Sequence, residues 1–262
     1  MTRKNKITYQ LIILPTLITA LLFAEADAKT VLVTGANRGI GLEFVRHYAD
    51  AGHTVIATTR NPDSADTLNA LAAVYDRIFI EELDVNDFSE IDGLAEKYSG
   101  TAIDVLVNNA GISGGSDRQH FGSIDYETFE AVMNTNVRGP LKMTEAFNAH
   151  VAASEDKKVV VVSSSEGSIG SVRSNRRPFY RASKAAVNMI MRNIALSLKE
   201  QGITVVLVNP GAVDTDMTAS ARGLMPLRTA ELAVDEMVEI TKNATMQDTA
   251  KFYHFNGTEL PW

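Results

Sequence analysis

The run TGANRGIG, Thr34 to Gly41, stands between the apolar triplet Val31-Leu32-Val33 and the amphipathic opening Leu42-Glu43-Phe44-Val45. That order reads as strand, glycine turn and helix, the context a bound nucleotide needs. Gly35, Gly39 and Gly41 let the backbone turn sharply and approach a pyrophosphate, which then rests on unpaired helix N–H groups and the positive end of the helix dipole. Asn37, Arg38 and Ile40 lie inside the same turn. The spacing Gly-x-x-x-Gly-x-Gly departs from the commoner Gly-x-Gly-x-x-Gly, so the dinucleotide fingerprint is matched in mechanism and not in letter. On the loop alone, a strand-to-helix turn without a ligand is the competing reading.

Short β-branched runs then alternate with helical patterns. The strands are expected at 31–34, 54–59, 77–81, 105–107, 159–163, 204–208 and 252–255, and the helices at 41–51, 64–74, 89–98, 126–151, 179–201 and 229–241. Near-continuous apolar runs such as Val159 to Val162 suit a sheet covered on both faces. The expectation is one α/β domain over 29–262, a Rossmann-type, doubly wound parallel sheet of about seven strands with helices on both faces.

Lys plus Arg number 25 against 32 Asp plus Glu, an acidic balance without the electrostatic footprint of nucleic-acid binding. The absence of cysteine excludes disulfides, thiolate metal sites and a cysteine nucleophile, and no metal site is expected. At the N-terminus, Arg3, Lys4 and Lys6 precede the uncharged stretch Leu11 to Ala24, and Ala26-Asp27-Ala28 offers a small-x-small cleavage site. Residues 1–28 are therefore expected to be a cleaved signal peptide that exports the chain to the periplasm or beyond. The apolar run is shorter than the roughly 18 residues of a spanning helix and Pro15 interrupts it. An uncleaved leader touching the membrane, or a start assigned too far upstream on a cytoplasmic protein, are the alternatives.

The second strand ends at Thr59-Arg60, where an acidic side chain would bind an unphosphorylated ribose. A guanidinium there pairs with a 2′-phosphate, and Arg38 can reach it from the other side, so NADP(H) is expected over NAD(H). Both arginines as solvated surface charges is the plainer alternative. Tyr180 and Lys184 lie four apart on one helix face, where an ammonium near a phenol favours the phenolate and suits Tyr180 to general acid/base work. Ser163, Ser164 and Ser165 end a strand where an open α/β sheet forms its ligand crevice.

With these motifs in order, joined by Asp84, Asn108-Asn109-Ala110-Gly111, Asn136-Val137-Arg138-Gly139 and Asn209-Pro210-Gly211, the chain from Lys29 onward resembles the classical short-chain dehydrogenase/reductase family. The resemblance implies Tyr180 as proton donor, Lys184 as binder of the nicotinamide ribose, Ser164 as polariser of the substrate oxygen and Asn136 as holder of a relay water. It implies Asp84 at adenine, Asn109, Ala110 and Gly111 behind the adenosine, and Pro210, Gly211, Val213 and Thr215 at the carboxamide. Ser164 and Tyr180 are 16 positions apart, longer than the family's usual interval, with Ser171 to Arg177 as the added segment. If that segment does not bulge outward, Ser165 or Ser168 takes the place of Ser164.

The longer interval and the ending Asn256 to Trp262 are similar to the C-factor-like and carbonyl-reductase-like branch, which implies a structural Trp262 packed near the site. Gly111 to Gly122 and Ala212 to Pro226 are expected to rim the pocket, with Met217, Leu224 and Met225 pointing to a hydrophobic carbonyl substrate. The implied activity is hydride transfer between the cofactor and a small carbonyl or alcohol compound. A cofactor-binding signalling or sensor protein with little turnover is the alternative. Family members form dimers or tetramers, and the branch includes monomers.

Overall fold

The computed structural model describes residues 28–262. The expected signal peptide, apart from Ala28, lies outside the described residues. Seven strands, β1 (Thr30–Val33), β2 (Thr54–Thr59), β3 (Ile78–Glu82), β4 (Val105–Asn108), β5 (Lys158–Val162), β6 (Thr204–Asn209) and β7 (Lys251–His254), form one parallel sheet in the order β3-β2-β1-β4-β5-β6-β7. The order reverses between β1 and β4, and a crevice opens at the carboxyl ends of strands on either side of such a reversal.

Alternation along each strand divides the interior into two cores. Leu32, Ile56, Leu106, Val159, Val161, Val205 and Leu207 face one layer of helices, while Val31, Val33, Val55, Val105, Val107, Val160 and Val206 face the other. The first layer holds α3 (Phe88–Lys97), α5 (Gly139–Ala146), α6 (Asn148–Ala152) and α7 (Pro178–Lys199) through Ile91, Met143, Val151 and Met191. The second holds α1 (Gly39–Asp50), α2 (Asp66–Ala72) and α8 (Ala230–Asn243) through Phe44, Leu68 and Met237. The five inner strands are buried on both faces and read as largely apolar runs, while the edge strands β3 and β7 are only partly covered.

The helix expected over 126–151 is not continuous. It divides into α4 (Tyr126–Met133), a π turn over Asn134–Arg138, α5 and α6. Pro140 supplies the reason, because it lacks the N–H that would reach the Asn136 carbonyl in an unbroken α-helix. The break falls at a residue expected in the site.

Candidate active site

Gly41 makes the tightest contact of the glycine turn: a Cβ there would stand 2.1 Å from the Gly35 carbonyl oxygen. The turn is pinned to the end of β4. Asn109 donates from its backbone to Thr34 Oγ1 (3.0 Å) and from Nδ2 to the carbonyls of Thr34 (2.9 Å) and Gly35 (3.2 Å), and Ala110 N donates to Thr34 Oγ1 (3.1 Å). Asn109 thus shapes the turn with its side chain. Arg38, the N-cap of α1, makes no side-chain cap, and no acidic residue stands in the first turn. The helix N–H groups and dipole are left for an anion, so the cradle fits the pyrophosphate of a dinucleotide.

Arg38 Nη1 meets Asp216 Oδ2 at 3.0 Å, and Arg60 is exposed just past β2. Asp84, after β3, accepts from Asn86 N and Nδ2, both at 2.9 Å. Across the crevice, Pro210 and Gly211 follow β6, Val213 pairs with Arg228, and Thr215 caps the 3-10 turn Asp216–Ala221. A Cβ on Gly39 would lie 3.2 Å from the Thr215 methyl, which places the loop after β6 directly against the glycine turn.

Tyr180 and Lys184 share one face of α7, with Lys184 Nζ 5.7 Å from the centre of the tyrosine ring and donating to the Val162 carbonyl at 2.8 Å. Burial lowers the Lys184 ammonium to about 8. Burial also raises the Tyr180 phenol, with the Ser164 hydroxyl beside it pulling downward, Glu166 pushing upward and Arg177 pulling downward. Two cations therefore flank the phenol ring, Lys184 Nζ at 5.7 Å and the Arg177 guanidinium at 5.4 Å from its centre. Lys184, expected from its spacing to favour the phenolate, is buried and uses one of its three donors on Val162.

The serine cluster divides by partner. Ser163 Oγ donates to Asn188 Oδ1 (2.5 Å), and Ser168 Oγ turns to Ser171 Oγ (3.0 Å) and the Trp262 carbonyl (3.4 Å). Ser165 donates its backbone N–H to Asn209 Oδ1 (3.0 Å), and Ser164 is the serine whose hydroxyl meets the Tyr180 phenol. Gly167 makes that closeness possible: a Cβ there would stand 2.8 Å from the Lys184 carbonyl carbon.

Asn136, buried in the π turn, accepts from Ile112 N (2.8 Å) and donates to Ile112 O and Ser183 Oγ, both at 2.9 Å. Its side-chain donors are used, so it braces the Gly111 segment against α7. A Cβ on Gly111 would lie 3.3 Å from Asn136 Oδ1 and 3.8 Å from Lys184 Nζ, so the three positions converge.

A cleft ahead of the start of α7 is lined by Ser116, Gln119, His120, Asn175, Arg176 and Arg177. Its walls are polar and cationic, while Met217, Leu224 and Met225, expected at the rim of the substrate pocket, are exposed. Gln119 was not anticipated. Buried, it donates to Ser113 O and Gly115 O and accepts from Phe179 N at 2.9 Å, fastening the rim to the start of α7. Glu166 and Arg177 also escaped the sequence patterns. Trp262 stacks on Phe252 with ring centres 5.7 Å apart.

A family model described as short chain dehydrogenase matches residues 29–224. An uncharacterized oxidoreductase of Schizosaccharomyces pombe is 31% identical over 255 residues, covering 91% of this chain and 100% of that one. The 1-hydroxy-2-glutathionyl-2-methyl-3-butene dehydrogenase of a Rhodococcus species is 33% identical over 236 residues, 89% of this chain and 100% of that one. Among solved structures, the NADPH-bound carbonyl reductase from chicken fatty liver superposes with a TM-score of 0.82 at 30% identity, over 90% of this chain and 99% of that one.

Proposed function

This chain belongs to the classical short-chain dehydrogenase/reductase family, in its carbonyl-reductase-like branch, and on that premise we propose that it is an NADP(H)-dependent oxidoreductase interconverting a carbonyl compound and its alcohol. One observation carries the reading: Ser164, Tyr180 and Lys184, with Asn136 bracing them, converge at the carboxyl edge of the sheet beside the uncapped start of α1. When bound, the nicotinamide supplies or accepts the hydride. Tyr180 moves the proton at its phenolic oxygen, as acid in reduction and as base in oxidation. Ser164 donates to the substrate oxygen and stabilises the negative charge that develops there. Lys184 holds the ribose hydroxyls next to the reacting ring.

Gly35, Asn37, Arg38, Gly39, Ile40 and Gly41 take the pyrophosphate side in this reading. Asp84, Asn109, Ala110 and Gly111 border the adenosine, and Pro210, Gly211, Val213 and Thr215 border the carboxamide. Arg38 and Arg60 select the 2′-phosphate, and the NADPH bound by the chicken enzyme supports that choice. Export through the leader belongs to the same proposal and rests on Arg3, Lys4, Lys6 and the Leu11 to Ala24 stretch, outside the described residues.

Replacement Tyr180→Phe tests the reading. Turnover on a panel of aldehydes, ketones and quinones is expected to fall by about 100-fold or more while NADPH still binds. Near-normal turnover in that variant overturns it.

A further inference from the structure

Arg177 is the residue just before α7, and its backbone lies in the left-handed region at φ 52° and ψ 51°. A bulky L-residue adopts that conformation only where its surroundings hold it. Here the holding contacts are specific. Arg177 Nη2 meets Glu166 Oε1 at 2.5 Å, and the guanidinium stands 5.4 Å from the centre of the Tyr180 ring. The pair is largely sheltered, with 32% of the arginine side chain and 22% of the glutamate side chain exposed.

Glu166 is tied to the reacting side as well. Its backbone N–H donates to Ser164 Oγ at 3.2 Å, so the backbone that carries the carboxylate is fastened to the serine beside Tyr180. Oε1 also receives Arg181 Nη2 at 3.4 Å, while Oε2 is buried without a hydrogen-bond partner. A buried carboxylate oxygen without a partner is costly, and such groups repay a search for a role.

We infer that Arg177 and Glu166 are a pair of opposed positioning residues that fix the Tyr180 phenol beside Ser164 and set the balance between its acid and base forms. The inference rests on the proton role proposed for Tyr180. Arg177 favours the phenolate, the form that takes a proton from an alcohol. Glu166 favours the neutral phenol, the form that gives a proton to a carbonyl oxygen. The other groups facing this cluster are Ser164 from the loop after β5, Lys184 and Arg181 from α7, and Arg176 and His120, which line a cleft with Arg177. Lys184 Nζ stands 5.7 Å from the same ring centre while donating to Val162, and Arg181 meets Glu166; both are common to wild type and to the Arg177 and Glu166 variants, so differences among these proteins read Arg177 and Glu166.

The ionisation of Tyr180 is read without a substrate, as the tyrosinate absorbance of each protein minus that of its Tyr180→Phe counterpart across a pH titration. Arg177→Gln is expected to move the Tyr180 step to higher pH, Glu166→Gln to lower pH, and Arg177→Lys to return it toward wild type. In turnover with the most rapidly converted member of the carbonyl panel and its alcohol, Arg177→Gln shifts the rising limb of oxidation upward and Glu166→Gln shifts it downward. A role confined to bracing the loop breaks the same ion pair in both variants and moves both in one direction. Steps that move together, or do not move, overturn the inference. Full turnover by Tyr180→Phe overturns the redox reading itself, and the absorbance titration keeps the two failures apart.

Discussion

Lys184 Nζ donates to the carbonyl oxygen of Val162 at 2.8 Å, joining the middle of a helical face to the last residue of β5. Lys184 is 6% exposed, and burial lowers the pKa of its ammonium from 10.5 to about 8. Between those two values the unfolded chain binds the proton and the folded chain does not, so stability rises with pH through that window. Wild type is expected to gain roughly 3 kcal/mol between about pH 8 and 10.5 relative to Lys184→Met. Urea unfolding at several pH values measures it, and parallel curves for the two proteins contradict it.

Two glycines predict opposite outcomes. Gly41→Ala drives a methyl to 2.1 Å from the Gly35 carbonyl, a backbone contact that cannot yield without reshaping the turn. Loss of NADPH binding and a lower Tm are expected. Gly93, inside α3, has no neighbour within 4 Å of an added Cβ and no left-handed φ. Gly93→Ala is expected to stabilise the fold by about 0.5–1 kcal/mol, read from the urea midpoint.

The inner strands were legible almost to the residue because burial on both faces favours β-branched and apolar side chains there. Val159 to Val162 is such a run, and β5 spans Lys158–Val162. The glycine turn and the Tyr180/Lys184 spacing were legible because backbone approach and helical geometry impose fixed residue types at fixed intervals. The break at Asn134–Arg138 was hidden by apolar residues that continue a helical pattern across it, although Pro140 marked the place. Gln119, Glu166 and Arg177 could not be found by pattern. Each is one polar residue in a loop, and its partner lies at a distance set by the fold: 60 positions for Gln119 and Phe179, 11 for Arg177 and Glu166.

The ion pair Arg38–Asp216 bears on cofactor choice. Both side chains are 70% exposed, and such a pair contributes little to stability. A doubly charged 2′-phosphate is expected to displace Asp216 from Arg38. Arg60→Ala and Arg38→Ala should each reduce kcat/KM for NADPH by about tenfold or more, with a much smaller effect on NADH. Asp216→Asn should raise the NADPH value and weaken its dependence on salt. A wild-type preference for NADH ends this account.

The packing of Trp262 makes the last prediction. Its ring stacks on Phe252 at an interplanar angle of 27°, and the Arg192 guanidinium lies 4.4 Å from the ring centre on α7, the helix that carries Tyr180. Its carbonyl receives Gly170 N and Ser168 Oγ, both at 3.4 Å, which anchors the segment just beyond Ser164. Trp262→Ala removes the stacking and the cation–π contact, a destabilisation of about 1–3 kcal/mol. The glycine turn and Arg38 follow β1, separated by β4, β5 and β6 from the strand on which this tail packs, so the NADPH dissociation constant should stay near wild type while kcat falls, because the loop holding Ser164 has lost its outer support. An unchanged Tm, or a loss confined to NADPH affinity, would show that the tail supports something other than the serine loop.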